Sequence, residues 1–278
     1  MRALVYGAIN PDLVHFVDRL PGRGDDIRSS SWHFTWGGKA TNAAVALAGW
    51  EVDTRLLGLV LGDDALGNAL LASLDIPSLD RSWITTDAEA RTRHCIILLT
   101  PDGDRTIVCA GYEGARWQQV PDEAWDGVAV VLIDGFGAAG AAATTHEAIR
   151  RAVPTIWLDA PGDCPIGVDL VVWSRHEHDP DDAGRLAQRG IDVALTAGSS
   201  PITVWSHGNR FEVVPPAVDA ANSTGAGDVF AAGCALGLAS GWAIRDTVTW
   251  AAAAGAAAAS SGRSTMPSRA DVEALISR

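Results

Sequence analysis

Short apolar runs alternate with longer amphipathic or Ala-rich stretches along most of the chain. ALVYGAI (3–9), DTRLLGLVLG (53–62), VAVVLIDGFG (128–137), TIWLDA (155–160), DLVVWS (169–174) and DVALTAG (192–198) read as buried strands. Between them, GKATNAAVALAGW (38–50), DDALGNALLASL (63–74), AAATTHEAIRRA (141–152) and DDAGRLAQRG (181–190) read as helices. The first has Thr41 or Asn42 near its start, the second opens on acids that suit a helix N-terminus, and the last stops at Gly190. Residues 225–276 form a helical final third. Strands alternating with helices predict an α/β fold whose mostly parallel central sheet is covered on both faces.

Two regions break this rhythm. DDIRSSSWHFTWGG (25–38) alternates at Trp32, Phe34 and Trp36, placing three aromatics on one face of a strand. TRHCIILLTPDGDRTIVCAG (92–111) reads as a hairpin turning at Pro101–Asp104. Both fit a small second sheet that covers a site on the main layer. The aromatic row serves either as packing against the main domain or as a lid or subunit contact. PITVWSHGNRFEVVP (201–215) reads as a further hairpin, turning at His207–Asn209.

Composition narrows the function classes. With 278 residues the chain can bury a substantial core, as one large α/β domain or as one domain plus a small appendage. Its net charge of −13 argues against a nucleic-acid surface or an acidic membrane as partner. No window has the length of a membrane span, and the N-terminus lacks the apolar stretch of a signal peptide. Cys95, Cys109, Cys164 and Cys234 form no C-x-x-C pair and read as buried thiols in a reducing, cytoplasmic setting.

Three stretches carry candidate chemistry. In NSTGAGDVFAAG (222–233), Gly225, Ala226 and Gly227 precede a buried helix whose first N–H groups lack intrahelical partners. Small residues there let a phosphate approach, and Asp228 sits beside it. Alone, Asp228 could simply complement the helix dipole. Next to an anion, however, a carboxylate makes sense as the acceptor of a proton from a hydroxyl attacking phosphorus. WGGKATNAA (36–44) is not a P-loop, because His33 and Ala40 stand where Gly and Ser/Thr are required. It remains a Gly-Gly turn entering a helix, with Lys39 and Asn42 offering donors and an acceptor to a polyhydroxylated ligand, or acting as caps. GAINPD (7–12) places Asn10 and Asp12 beyond the first strand, where open α/β sheets bind ligands, although Asn-Pro-Asp is also common turn chemistry.

Taken together, these motifs resemble those of the ribokinase-like carbohydrate kinases, the PfkB family, over nearly the whole chain. GGKATN resembles the family's N-terminal signature and NSTGAGDVFAAG its C-terminal one. The resemblance implies a three-layer ribokinase-like fold over residues 1–278, with lid strands inserted at about 13–37 and 91–111. It implies transfer of a phosphoryl group from ATP, with Mg²⁺, to a sugar hydroxymethyl group. It casts Asp228 as catalytic base and the N–H groups of Gly225, Ala226 and Gly227 as the anion hole. It places Asn10, Asp12, Gly38, Lys39, Asn42 and Asp134 on the sugar, with Asp134 standing where a Glu is usual. SRHE (174–177) resembles the N-x-x-E motif, in which Glu177 matches and Ser174 does not, and assigns Glu177 an indirect part in holding Mg²⁺. LTAGSSPITVW resembles the nucleotide-binding T-x-G segment, giving Thr196 and Gly198.

Asn222 and Ser223 replace the usual Asp-Thr, which puts activation by K⁺ in doubt. The expected partners are a small sugar and a second copy of the chain docked through the lid. Ribose is the first-choice acceptor, followed by nucleosides, fructose and other sugars. A sugar-binding relative without catalysis is the alternative from another class. A nicotinamide oxidoreductase lacks its glycine fingerprint here.

Overall fold

The computed structural model describes residues 1–159, 164–219, 223–261 and 266–277. From the N-terminus run β1 (Arg2–Gly7), β2 (Asn10–Phe16), β3 (Ser31–Gly37), α1 (Lys39–Gly49), β4 (Asp53–Gly58), β5 (Leu61–Gly62), α2 (Ala65–Ser73), β6 (Leu79–Asp80) and β7 (Thr86–Asp87). The hairpin β8 (Cys95–Leu99) and β9 (Arg105–Cys109) precedes β10 (Val128–Asp134), α3 (Ala138–Arg150), β11 (Thr155–Leu158), β12 (Leu170–Ser174) and α4 (Pro180–Ala187). The chain ends with β13 (Asp192–Ala197), β14 (Ser200–Ser206), β15 (Asn209–Val213), α5 (Ala226–Ala239), α6 (Ile244–Ser261) and α7 (Arg269–Ile276).

Nine strands form the main sheet in the order β15-β14-β13-β12-β11-β10-β1-β4-β6. It is parallel from β13 to β6, and the antiparallel hairpin β14–β15 closes the other edge. Alternation within each strand divides the core into two layers. Ala3, Val5, Val130 and Leu132 pack with α1, α5 and α6 residues on one face. Leu4, Tyr6, Val131 and Ile133 pack with Ala141, Ala148, Ala183 and Leu186 from α3 and α4 on the other. Parallel strands feeding helices on both faces bring the carboxyl ends of β1, β10, β11, β12 and β13 to a common rim, where such sheets bind ligands.

A second sheet, in the order β3-β2-β8-β9, stands apart from the first. GAINPD does not end in a simple turn: Asn10 opens β2, and Asp12 pairs with Thr35 on one side and Cys95 on the other. Only Ser31–Gly37 of the 25–38 segment is strand. The aromatic row has a mixed fate. Phe34 and Trp36 pack against the main core, while Trp32 is 61% exposed and stacks on His15. The sequence reading of four buried thiols fails for two of them. Cys95 and Cys109 face each other across β8–β9 and are joined as a disulfide, leaving Cys164 and Cys234 as buried free thiols. No described helix is long and apolar enough to cross a membrane.

Helices α5 and α6 lie very close together because both carry small residues at their crossing. A Cβ on Gly233 of α5 would stand 2.8 Å from the Ala251 Cα of α6. Gly233→Val therefore overpacks this contact and is expected to cost about 1–3 kcal/mol in a urea unfolding measurement. Wild-type stability in this variant would show that the helices have room to separate.

Candidate active site

The site is built where the first residues of α1 and α5 meet the rim of the main sheet. Gly38 is the N-cap of α1 with φ +90°, and a Cβ there would overlap the Ala8 carbonyl. A Cβ on the preceding Gly37 would fall on the Asp12 carboxylate. The Gly-Gly pair thus lets β3 turn into α1 directly over β1 and β2. Gly225, at φ +83°, is the N-cap of α5 and supplies no side-chain cap to the helix N–H groups. The first turn of α5 carries Asp228, which is 7% exposed.

Asn42 links these helix starts. Its Nδ2 donates to Asp228 Oδ2 at 2.7 Å, while its buried Oδ1 meets no donor among the described residues. A buried acceptor left open beside a carboxylate suits a ligand hydroxyl. At the lid end, Asn10 Nδ2 donates to Asp12 Oδ1 at 3.0 Å, and the Tyr112 hydroxyl donates to Asn10 Oδ1 at 2.9 Å. Asn10 and Asp12 are both buried. The lid also reaches the other half of the site, since Arg105 of β9 donates to Ser223 Oγ, just before α5, at 3.4 Å.

Lys39 stands between the two halves. Its Nζ donates to Asp159 Oδ2 at 3.1 Å and lies 5.7 Å from the Phe136 ring centroid. Burial alone would lower its pKa, but the carboxylates of Asp228, Asp159, Glu177 and Asp134 outweigh burial and hold the ammonium above its ordinary range. Asp134, at the end of β10, is fully buried. Its Oδ2 accepts from the Ala8 N–H at 3.0 Å and its Oδ1 from the Phe136 N–H at 3.1 Å. Burial still dominates and pushes its carboxyl up to about 7, against the pull of those two N–H groups and Lys39. The Tyr112 phenol is likewise raised, chiefly by burial.

The remaining candidates lie along the rim. Ser174 ends β12, and its N–H donates to Asp159 Oδ1 at 3.1 Å. Glu177 is exposed in the turn that follows, its N–H bonded to the Ser174 carbonyl. Thr196, in β13, donates to the Trp173 carbonyl at 3.2 Å, and Gly198 sits in the β13–β14 turn with φ +62°. Asn222 lies outside the described residues. A cavity of about 410 Å³ beside β15, α6 and α7 is lined by Val214, Pro216, Ala217, Thr249, Leu275 and Ile276, none of them a candidate from the sequence. Asp159, His178, Tyr112 and Phe136 join the site without having been singled out in the sequence. Asp159 ends an apolar run in TIWLD as Asp134 does in VVLID, so the same signal could have found it.

An acid in the first turn of a helix that Gly225 leaves without a side-chain cap, where among the described residues the Ala226 N–H meets only the Ser223 carbonyl at 3.2 Å, together with polar groups for hydroxyls and a central ammonium, can bind a polyol and an anion and move a proton between them. Residues 2–155 and 169–270 match the pfkB family carbohydrate kinases. Ribokinase of Bacillus subtilis is 27% identical over an alignment of 315 positions, covering 98% of each chain. Ribokinase of Arabidopsis thaliana is 24% identical over 90% of this chain and 74% of its own length. Among solved structures, that Arabidopsis enzyme complexed with ribose and ATP superposes with a TM-score of 0.82 at 21% identity, over 99% of this chain and 98% of the other. Thermotoga maritima ribokinase gives 0.82 at 19% identity, over 100% and 99%. The chain belongs to the pfkB family of carbohydrate kinases. It is accordingly a phosphotransferase with an alcohol group as acceptor, built on the ribokinase-like fold.

The raised Asp134 pKa has a testable sign. Between its ordinary value of 3.8 and about 7, the folded protein holds a proton that the unfolded chain has released. Stability from this group is therefore lost as pH rises through that window and levels off above it. In denaturant melts from pH 4.5 to 8.5, the stability of wild type minus that of Asp134→Asn should fall with pH, by at most about 1.4 kcal/mol per pH unit. A difference that is flat or rises with pH would contradict the assignment.

Proposed function

We propose that this chain is an ATP-dependent sugar kinase that transfers the γ-phosphoryl group to a hydroxymethyl group of a small carbohydrate, with ribose as first choice. The observation that carries this reading is Asp228. It is a buried carboxylate in the first turn of α5, oriented by Asn42 and adjoining an N-terminus that Gly225 leaves without a side-chain cap.

Each residue then has a chemical task. Asp228 accepts the proton of the attacking hydroxyl, and the hydrogen bond from Asn42 fixes which oxygen faces it. The N–H groups of Gly225, Ala226 and Gly227 receive the charge that develops on the transferred group, that of Ala226 by exchanging its 3.2 Å bond to the Ser223 carbonyl. Asp12 and Asn10 hold hydroxyls at the lid end, joined by the open Asn42 Oδ1 and the backbone at Gly38. Lys39 offsets the acids around it and offers an ammonium to phosphate oxygens. Both oxygens of Asp134 already accept backbone N–H bonds, so its part is to brace the Ala8 and Phe136 backbone while presenting its remaining lone pairs. Two features support a nucleotide and its metal at the rim: the α5 N-terminus, which Gly225 leaves without a side-chain cap, suits phosphate, and the Asp159 and Glu177 carboxylates suit a hard divalent ion. Mg²⁺ bound there would neutralise phosphate charge, while Thr196 and Gly198 border the nucleotide. Activation by K⁺ forms no part of the proposal.

A nucleoside acceptor is the second reading. The Tyr112 and Phe136 rings, with centroids 6.3 Å apart, stand beside Asn10 and Lys39 and offer apolar faces to a base or sugar ring. A lid-to-lid dimer is also part of the proposal, supported by the exposed Trp32, Ile107 and Val108 of the second sheet.

The test is ADP release in the presence of Mg²⁺ across ribose, fructose, 2-keto-3-deoxygluconate, adenosine and other nucleosides. Ribose is expected to give the highest kcat/KM. Asp228→Asn should lower kcat by about 10²–10⁴-fold while leaving sugar affinity nearly intact. A folded wild type that binds sugar but turns over none of the panel would favour the non-catalytic relative. Turnover surviving in Asp228→Asn would remove Asp228 as the base.

A further inference from the structure

His178 has no task in the sugar-kinase reading, yet its surroundings hold it firmly. Its ring lies flat on Trp173, with centroids 4.1 Å apart and planes within 6°. This stacking turns the ring edge toward the rim, where Nε2 lies 3.8 Å from Asp159 Oδ1. That separation is too long for a hydrogen bond. It is close to the roughly 3–4 Å that separates two donors sharing one divalent ion. Asp159, Glu177 and His178 each contribute a ligand atom within 4.8 Å of the other two.

The three residues come from adjoining strand ends, Asp159 after β11 and the other two from the turn after β12. Asp159 is fixed by two bonds, from Lys39 to Oδ2 and from the Ser174 N–H to Oδ1. His178 is largely covered, with its side chain 15% exposed. Glu177 is exposed and leaves a route for an ion from solvent. Lys39 shares the Asp159 charge, which makes any bound ion exchangeable rather than permanent.

The donor types decide which ion fits. Carboxylates and water alone suit Mg²⁺, a hard ion that keeps its waters. An imidazole added to two carboxylates shifts preference toward Mn²⁺, Co²⁺ and their first-row neighbours. We propose that Asp159, Glu177 and His178 form a divalent-cation site that prefers Mn²⁺ or Co²⁺ to Mg²⁺, with His178 as the selecting ligand. The site requires neither nucleotide nor sugar, so its test stands apart from that of the kinase reading.

The full chain, stripped with EDTA and free of nucleotide and sugar, is titrated with Mn²⁺ while the EPR signal of the free aqueous ion is followed. One Mn²⁺ per chain is expected, and Mg²⁺ should displace it only at about tenfold or greater excess. Pulsed EPR on the bound ion should show ¹⁴N coupling from a directly bound imidazole. His178→Gln should lose that coupling and weaken Mn²⁺ binding by about tenfold or more, with a much smaller change for Mg²⁺. The wild-type ¹⁴N signal decides the matter even if the variant folds poorly. Absence of Mn²⁺ binding at millimolar concentration, bound Mn²⁺ without ¹⁴N coupling, or unchanged binding in folded His178→Gln would each overturn the proposal.

Discussion

The site depends on the ammonium of Lys39 placed among acids. Lys39 is within electrostatic reach of Asp228, Asp159, Glu177 and Asp134, and three of these carboxylates are buried. Without a counter-charge, so many acids in one cleft would repel one another and take up protons. Lys39 is also the first residue of α1, an unfavourable place for a cation in the helix dipole. The surrounding carboxylates outweigh that cost, and its location follows from the turn at Gly37–Gly38. Clearance for Asp12 and the Ala8 carbonyl, the join between the lid strand β3 and α1, and the ammonium at the centre of the rim all meet in that turn.

From this constraint the two halves of the site take their characters. The lid side is neutral to acidic and rich in acceptors, with Asn10, Asp12 and the open Asn42 Oδ1 suited to hydroxyls. The rim side combines N–H groups, the ammonium and the Asp159–Glu177 carboxylates, which suits phosphate with a divalent ion. Asp228 lies at the boundary, tied to Asn42 on one side and starting α5 on the other. In a chain of net charge −13, the proposed affinity for an anion at the rim comes from backbone dipoles and Lys39 concentrated there, not from the overall field.

Much of this was legible in the sequence. The strand–helix alternation gave the parallel sheet, and the glycine turns before Lys39 and Asp228 marked two helix starts that meet in space. The failures have local causes. Asn10-Pro11-Asp12 reads as a turn, but these residues begin β2, because pairing with β3 and β8 overrides the local turn preference. Cys95 and Cys109 read as unrelated thiols, although they are equidistant from Asp102 in the hairpin expected at 92–111, and register alone makes them neighbours. Tyr112, Phe136, Asp159 and His178 escaped because the sheet rim, not spacing along the chain, brings them together. Within SRHEH the N-x-x-E likeness drew attention to Glu177, while the stacking that orients His178 exists only in three dimensions.

The proposed chemistry requires the α5 N-terminus and Asp228 to bring a sugar hydroxyl and a transferred phosphoryl group together. A crystal structure with ADP, Mg²⁺, aluminium fluoride and the sugar tests it most directly. The fluoride mimic is expected within hydrogen-bond distance, about 2.7–3.2 Å, of the Gly225–Gly227 N–H groups, with a sugar oxygen between it and Asp228. A mimic bound away from that helix start, or a sugar whose hydroxyls all point away from Asp228, would contradict it.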